Sequence, residues 1–441
     1  MAYPTLENVL RILTLQDHNT RIVLAGACAF GVAAGLVGAF LLLRKRSLLG
    51  DTLGHATLPG VAIGFLIAYG TGIDPRSFLP LALGATLTSV AGIAALLLIR
   101  RFSTIKDDAA LAIVLSVFFG FGVALLSAIQ QLPGGFASGL EHLIYGSAAT
   151  MSSTDTSFVL VSSLCIAVIC IALFKEFSLL CFDEPYARSS GWPATALDLL
   201  LMSLVVWTTV VGIQTVGILL VVALLVIPPA SARFWCDGMG AMATVSALCG
   251  GLSCLFGVFL SALFPKWPTG ALIVLSAGAI FAAGLVFGPT RGILIRSIRT
   301  RREELKLRRD HMLRAVFECA ENSSESVPLS QLLTKRPWSR RHVTSEIARL
   351  ADRGLLTFSL SNDSVQLTTT GLSEARRLVR NHRLWELYLI QHAEIAPAHV
   401  DRDADRIEHV LSLRIVEELE DILDQRPHDR LVPRDPEKSH L

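Results

Sequence analysis

Charge is scarce in the first two thirds of this chain. Residues 1–290 contain 26 charged side chains, whereas residues 291–441 contain 50. Charged residues make up about a quarter of a typical soluble domain. Residues 1–290 are therefore too apolar to be a soluble domain. The sequence therefore predicts two environments, lipid for residues 1–290 and water for the remainder.

Three further absences narrow the functional class. The eight cysteines form no Cys-x-x-Cys pair, so neither a disulfide framework nor a cysteine zinc cluster is indicated. No Gly-x-x-x-x-Gly-Lys-Ser/Thr run occurs, so the chain has no phosphate-binding loop of the P-loop ATPases. No nucleophile–base motif is recognisable. We therefore expect a protein that is not itself an enzyme.

Long apolar segments dominate residues 1–290. A helix needs about 20 apolar residues to cross a bilayer. Glycine and alanine recur in these segments, which favours close packing in a bundle over isolated anchors. We predict an all-α polytopic membrane bundle of about 8–9 transmembrane helices. The candidate segments lie near residues 21–43, 53–70, 78–99, 109–129, 157–174, 196–214, 216–235, 241–264 and 270–288.

Basic residues mark one side of the predicted bundle. They follow every odd-numbered segment, whereas the loops on the other side contain only Arg76 and Lys266. Because basic residues accumulate on the cytoplasmic side, we predict an outside N-terminus and a cytoplasmic C-terminal region. The marking residues are Arg44, Lys45, Arg46, Arg100, Arg101, Lys106, Lys175, Arg188, Arg233 and those from Arg291 onward.

Asp51 and His55 lie four residues apart at the head of the second segment. On a helix this spacing places both on one face, and a carboxylate with an imidazole suits a divalent transition metal. An ionisable pair in a membrane span usually faces a bundle interior or an ion path. The alternative is that Asp51 caps the helix and His55 is a satisfied interior group. The two residue types alone do not decide between these interpretations.

The sixth and seventh segments are interrupted by Gly212–Gly217 and by Pro228-Pro229. Broken membrane helices are tolerated where they line protein or a cavity, and a structural kink is equally consistent with these residues. We predict a break or kink at each position.

Five motifs, in the family's order, resemble the metal-ion permease family of ABC importers, which take up zinc, manganese or iron. The resemblance covers about residues 20–290 and implies the membrane subunit of an importer in the bacterial inner membrane. It also implies three partners: a second permease subunit, a cytoplasmic ATP-binding subunit and an extracytoplasmic metal-binding protein. The motifs are residues 47–64, 106–114, 182–191, 217–232 and 268–271.

Two sets of residues take roles from this resemblance. Asp51 and His55 become candidates for the translocation path. Glu184, Ala187 and Gly191 resemble the short coupling helix that ABC permeases insert into their ATPase, and they lie on the predicted cytoplasmic side. The alternative for this second set is a solvated loop with a turn after Gly191.

The polar remainder divides by composition and pattern. Residues 291–309 form a basic helical linker, for which anchoring to anionic lipid head groups is a simple role. Residues 310–371 have the order of a winged helix-turn-helix domain, with a helix from Ser339 that Gly354 ends and two short strands around 361–363. Residues 372–433 are predicted to be a helical metal-binding and dimerisation domain, followed by a tail, 434–441.

The second helix of the winged domain carries the DNA-binding candidates. Ser339 is a plausible N-cap, and Arg340, Arg341 and His342 follow it at the helix start, where side chains reach phosphates or base edges. Two arginines at a helix start are also common on solvated faces, and the wing, residues 359–366, has no basic residue. The DNA-binding hypothesis therefore competes with a plain solvated helix.

Five side chains of metal-binding type lie on two predicted helices. Asp405, Glu408 and His409 have helical i, i+3, i+4 spacing, and His382 and Glu386 have i, i+4 spacing. Carboxylates and imidazoles on such faces favour a divalent cation site. The alternative is a pair of surface helices joined by salt bridges.

Residues 310–433 also resemble the metal-dependent repressors of the diphtheria-toxin-repressor family. The resemblance rests on the runs 382–386, 405–412 and 427–433. It implies that His382, Asp405, Glu408 and His409 are metal ligands and that Glu386 belongs to a second site found in part of the family. Asp310 aligns best with the ligand from the first helix, although Leu313 stands where the manganese branch has an acid. Asp405 replaces a Cys or Glu, and a hard carboxylate favours Mn²⁺ or Fe²⁺ over Zn²⁺.

Together these features predict a fusion of an importer membrane subunit for a divalent metal with a cytosolic, metal-responsive DNA-binding module that dimerises. In the alternative, the module stays tethered and inhibits transport when it senses metal, without binding DNA.

Overall fold

The computed structural model describes residues 17–44, 47–72, 77–132, 151–264, 267–323, 326–335, 338–359 and 362–392. The chain divides into two compact units, Met1–Arg296 and Ser297–Leu441. Each unit has its own hydrophobic core. The division lies close to the change in charge density along the sequence.

The first unit is a helical bundle, and each of the nine predicted segments overlaps a helix over most of its length. Among the described residues, eight helices are long and apolar enough to cross a membrane, and a shorter apolar helix, α9, has 15 residues. Two short helices, α6 and α7, precede α8. The helices are α1 His18–Leu43, α2 Ser47–Thr71, α3 Phe78–Phe102, α4 Asp107–Gln130, α5 Ser153–Ala172, α6 Phe174–Phe182, α7 Glu184–Ser189, α8 Ala194–Thr215, α9 Ile218–Ala232, α10 Met239–Leu263 and α11 Thr269–Phe287.

Glycines let the membrane helices meet backbone to backbone. Gly60 of α2 and Gly84 of α3 face each other so closely that a Cβ on either would collide with the carbonyl oxygen of the other. Gly31 of α1 and Gly250 of α10 form a second reciprocal contact of this kind. Because lipid tails are as apolar as leucine, packing of this type, rather than water exclusion, holds helices together in a membrane.

The predicted break between the sixth and seventh segments is present at Gly217. This residue has a positive φ of 94° and separates α8 from α9. At Pro228-Pro229 the helix is not interrupted, because α9 continues through both prolines to Ala232. The prolines lie near the end of α9, where they remove only the hydrogen bonds to the carbonyls four residues earlier. One of these, the Leu225 carbonyl, packs directly against Gly38 of α1.

The second unit begins within a single long helix, α12 Ile293–Ser323. The basic segment predicted to be a helical linker and the helix predicted from residue 310 both lie in this one helix. The following elements have the order expected of a winged helix-turn-helix: β1 Val327–Pro328, α13 Leu329–Lys335, α14 Arg340–Asp352, β2 Leu356–Ser359, β3 Ser364–Leu367 and α15 Thr369–His392.

The strands form a small antiparallel sheet in the order β1-β3-β2. Val327 pairs with Val365, and Phe358 pairs with the same residue from the other side. Leu313, Val343 and Val365 are fully or almost fully buried in the core beneath the sheet. The sheet and the helices around it therefore share one core.

Replacement of Gly84 by alanine tests the backbone contact between α2 and α3. The added methyl group would meet the Gly60 carbonyl, so we expect G84A to lower stability by about 1–3 kcal/mol, the usual cost of overpacking. Thermal unfolding of the detergent-purified protein measures this loss. Gly278 of α11 is the matched control, because nothing lies within 4 Å of its added Cβ. Equal melting temperatures for G84A and G278A would contradict the contact.

Candidate metal path, coupling helix and metal-sensing module

Asp51 and His55 are in contact one turn apart on α2. The His55 Nε2 atom lies 3.3 Å from Asp51 Oδ1, and the two side chains are 26% and 33% exposed. The His55 ring meets Phe119 of α4 edge to face, with ring centroids 4.9 Å apart. The pair is thus held between two helices while one side of it stays accessible.

The alternative in which Asp51 caps the helix is wrong. Helix α2 begins at Ser47, so Asp51 lies in its second turn. His55 Nδ1 is buried and has no hydrogen-bond partner within the described part of the chain. One carboxylate and one imidazole therefore lie together with unused coordinating capacity. A transition metal takes four to six ligands, so two donors from one chain leave room for water or a second subunit.

The segment after α6 forms a distinct short helix, α7. The Asp183 side chain accepts a hydrogen bond from the Tyr186 backbone N–H, and Pro185 occupies the first turn, where its missing N–H costs nothing. Ala187 is fully buried, whereas Tyr186 is 58% exposed. Gly191 has a φ of 83° and turns the chain towards α8. The structure thus has a helix, rather than an irregular loop, at the position of the predicted coupling segment.

Glu184, the first residue of α7, accepts hydrogen bonds from two arginines. Arg188 Nη2 lies 2.7 Å from Glu184 Oε1, and Arg44 Nη1 lies 2.9 Å from Glu184 Oε2. The hydrogen bond from Arg188 lowers the pKa of Glu184, and Arg44 adds to this effect against the opposing contribution of burial. Glu184 is therefore ionised at neutral pH.

Arg44 and Asp198 are residues whose role the sequence did not indicate. In the sequence, Arg44 served only to predict which loops are cytoplasmic, and Asp198 lies in an apolar segment. In the structure, Arg44 Nη2 is 2.7 Å from Asp198 Oδ1. A lone acid within a membrane segment is itself a signal of a functional or paired group. Asp198 gave this signal, but the sequence did not identify its partner, because Arg44 lies 154 residues away along the chain.

The start of α14 has the geometry predicted for Ser339. Its side chain accepts a hydrogen bond from the His342 backbone N–H, which confirms the N-cap. Arg340 is 71% exposed and reaches Asp363, in the turn between β2 and β3, at 3.3 Å. Arg341 is exposed and His342 is partly exposed. All three side chains thus lie at an accessible helix start, and Arg340 is paired with Asp363 of the β2–β3 turn.

Two of the predicted metal ligands in the module are described, and both are buried. Asp310 is 3% exposed and His382 is 2% exposed. Arg309 contacts Asp310 Oδ1 at 2.7 Å, and Arg314 Nη1 lies 2.8 Å from His382 Nδ1. Because arginine can only donate, Nδ1 is the acceptor, and a neutral ring carries its proton on Nε2. The donor types fit Mn²⁺ or Fe²⁺, but a metal bound through Nδ1 would have to displace Arg314.

The remaining ligand candidates are not described. Glu386 belongs to α15, but its side chain is outside the described set, and Asp405, Glu408 and His409 lie outside the described residues. In the ranges that the structure describes, no group of three or more His, Cys, Asp or Glu side chains is close enough to hold a metal. The ligand set of the module therefore stays a prediction from the sequence.

These features define a polytopic membrane protein joined to a small helical module with a three-stranded sheet. Residues 16–288 match the ABC 3 transport family, and residues 368–436 match the metal binding and dimerisation domain of iron dependent repressors. The chain therefore belongs to the ABC 3 family of metal transport permeases and carries an iron-dependent-repressor C-terminal domain, as the sequence motifs predicted.

Relatives extend this assignment over the whole chain. The manganese transport system membrane protein MntC of Bacillus subtilis is 34% identical over 97% of this chain and 98% of its own length. The zinc transport system membrane protein TroC of Treponema pallidum is 37% identical over 66% of this chain and 95% of its own length. Among solved structures, PsaBC from Streptococcus pneumoniae in complex with Fab has a chain that is 27% identical, with a TM-score of 0.56 over 67% of this chain and 99% of its own length.

Glu318 of α12 makes the stability of the module depend on pH. Burial raises its pKa, but hydrogen bonds from Lys335 and Arg314 outweigh burial and lower it below the ordinary 4.5. A lowered folded-state pKa adds stability above the unfolded-state value, and this stability is lost as pH falls through the folded-state value. We expect the fragment 297–441 to melt at lower temperature as pH drops below 4.5, and E318Q to show a weaker decline.

Calorimetric melting across this pH range makes the measurement. Glu304→Gln is the matched control on the same helix, because Glu304 is 56% exposed and only 4.0 Å from its partner Arg308. Indistinguishable pH profiles for wild type and E318Q would contradict the role of Glu318.

Proposed function

We propose that this chain is the permease subunit of an ABC importer for Mn²⁺, Fe²⁺ or Zn²⁺, with Asp51 and His55 on the path of the ion. The contact between these two side chains carries the proposal, because it combines a carboxylate with an imidazole inside a membrane helix. The manganese and zinc named for the two relatives support the choice of ions.

The partners follow from the permease role. A cytoplasmic ATP-binding subunit would dock on α7 around Glu184, Ala187 and Gly191, an extracytoplasmic protein would deliver the metal, and a second permease subunit would complete the path. The distribution of basic residues supports an outside N-terminus and a cytoplasmic module. The exposed Tyr186 beside the buried Ala187 supports docking, since α7 presents an apolar side chain to a partner while its other face is anchored.

The module would report the cytoplasmic metal level. In this proposal His382, Asp405, Glu408, His409 and Asp310 hold Mn²⁺ or Fe²⁺, Glu386 adds to a second site, and metal-loaded modules dimerise. Ser339, Arg340, Arg341 and His342 then present the start of α14 to operator DNA, after cleavage near residues 291–310 frees the module. The burial of Asp310 and His382 supports a metal-dependent core rather than a solvated surface.

A specific observation favours the second candidate, a tethered module that senses metal and slows transport without binding DNA. Arg340 already pairs with Asp363 in the turn between β2 and β3. This turn contains no basic residue that could contact DNA. Both candidate functions use the same metal site. They differ in what metal binding causes, DNA binding in the first and slower transport in the second.

His55→Ala tests the path. Loss of the imidazole should reduce Mn²⁺ uptake by the reconstituted transporter roughly 10–100-fold, the scale seen even for groups that merely support metal ligands. Radiolabelled Mn²⁺ uptake into proteoliposomes measures it, with assembly of the ATP-binding subunit checked by co-purification. His18→Ala, at the exposed start of α1, is the control. Uptake at the wild-type rate in H55A would reduce His55 to a packing residue.

A gel shift with the fragment 297–441 separates the two outputs of the module. If the module is a repressor, Mn²⁺ or Fe²⁺ should induce binding to DNA from upstream of the gene. Arg341→Ala should weaken binding by about 1–3 kcal/mol if Arg341 reads a base. Glu408→Gln or His409→Ala should remove the metal dependence. Arg349→Ala is the control, because Arg349 is engaged by Glu346 further along α14. No shift at low salt, with metal bound, would leave the tethered sensor as the function.

A further inference from the structure

The buried arginine at the end of α1 joins four elements of the first unit. Arg44 is the C-cap of α1, and its side chain is 8% exposed. Nη1 donates to Glu184 of α7 and to the Leu180 carbonyl of α6, both at 2.9 Å, and Nη2 donates to Asp198 of α8 at 2.7 Å. A buried guanidinium is costly unless carboxylates and hydrogen bonds compensate it, and here two acids from different helices do so.

We propose that Arg44 is the positioning residue that links movement of the coupling helix α7 to the membrane helices during transport. The proposal rests on the proposed role of α7 as the ATPase docking element. A helix of six residues has few contacts of its own with the bundle, so a force applied to it needs a stiff connection to longer helices. The two ion pairs of Arg44 supply this connection, one to α7 and one to α8.

From Asp198 the connection reaches the metal path through α8. Thr209 lies three turns further along this helix, about 16 Å from Asp198 at the usual rise per residue. A Cβ on Gly54 of α2 would lie 3.9 Å from Thr209 and 3.2 Å from Val222 of α9. Gly54 directly precedes His55. Helix α8 thus passes close to the turn of α2 that carries the proposed metal ligand, and in this proposal a shift of α8 moves that turn.

Arginine is the residue type that this position requires. Its planar fork directs separate N–H groups at Glu184, the Leu180 carbonyl and Asp198, whereas a lysine offers a single ammonium centre. Arg188 also binds Glu184, but both residues belong to α7, so that pair stiffens the helix without connecting it to anything else. Arg44 and Arg188 thus bind the same acid, Glu184, but only Arg44 connects α7 to other helices.

Transport by the assembled complex in proteoliposomes tests the proposal. The complex contains this chain, its ATP-binding subunit and its extracytoplasmic metal-binding protein, and the measured quantity is Mn²⁺ taken up per ATP hydrolysed. Arg44→Met should retain ATP hydrolysis but lower this ratio about fivefold or more, the range of typical coupling free energies between sites. Arg44→Lys should restore part of the ratio, because it keeps one charge-assisted contact.

Asp198→Asn gives a second route to the same result if R44M folds poorly. It removes one partner while Arg44 keeps Glu184, so D198N should also lower the ratio, and the R44M/D198N double variant should be no worse than R44M alone. Arg100→Met is the matched control. Arg100 is 16% exposed and pairs with Asp107 at 2.9 Å across the α3–α4 connection, so its loss should affect stability but not the ratio.

The outcomes separate this inference from the proposed function. If R44M and D198N keep the wild-type ratio, or if R100M lowers it equally, Arg44 is a structural residue and the inference is overturned. If the wild-type complex moves none of Mn²⁺, Fe²⁺ and Zn²⁺, the proposed function fails and the inference fails with it.

Discussion

The position of α2 depends on backbone contacts that only small residues allow. Gly60 meets the Gly84 carbonyl of α3, and Gly122 of α4 lies against Leu58 and Pro59. Dispersion contacts across such surfaces hold membrane helices at short range, because lipid offers no hydrophobic driving force for their association. The Asp51–His55 pair adds one aromatic contact to this packing, between the His55 ring and Phe119 of α4. The neutral contacts at Leu58, Pro59 and Gly60 lie C-terminal to this pair and fix α2 against α3 and α4.

Arginines connect elements in both units, but their surroundings differ. Arg44 is compensated by two carboxylates from separate helices within the membrane unit. In the module, Arg314 contacts Glu318 and the ring nitrogen of His382, a group that also suits a metal. A metal ion that approached Nδ1 of His382 would compete with the Arg314 guanidinium, which already contacts this atom. Under the proposed function, metal binding at His382 through Nδ1 would therefore require Arg314 to move away from the ring.

Local patterns predicted those features whose causes are local. Apolar run length located the helices, i, i+4 spacing placed Asp51 beside His55, and a serine before two arginines marked the cap of α14. The helix is not interrupted at Pro228-Pro229 because proline near a helix end removes few hydrogen bonds, and residue type alone does not reveal that position. The Arg44–Asp198 pair could not be predicted, since it depends on how α1 and α8 pack. Side-chain contacts for Asp405, Glu408 and His409 remain a prediction from the family resemblance.

Under the proposed function, the two metal sites face opposite requirements, and their described residues differ accordingly. A site on a transport path must release its ion quickly, so few donors and partial exposure suit it, as at Asp51 and His55. A sensor must hold its ion long enough to report a concentration, which favours more ligands in a buried, ordered setting. Asp310 and His382 are almost fully buried in a packed core. A chain that carries both kinds of site passes metal through one unit and retains a sample of it in the other.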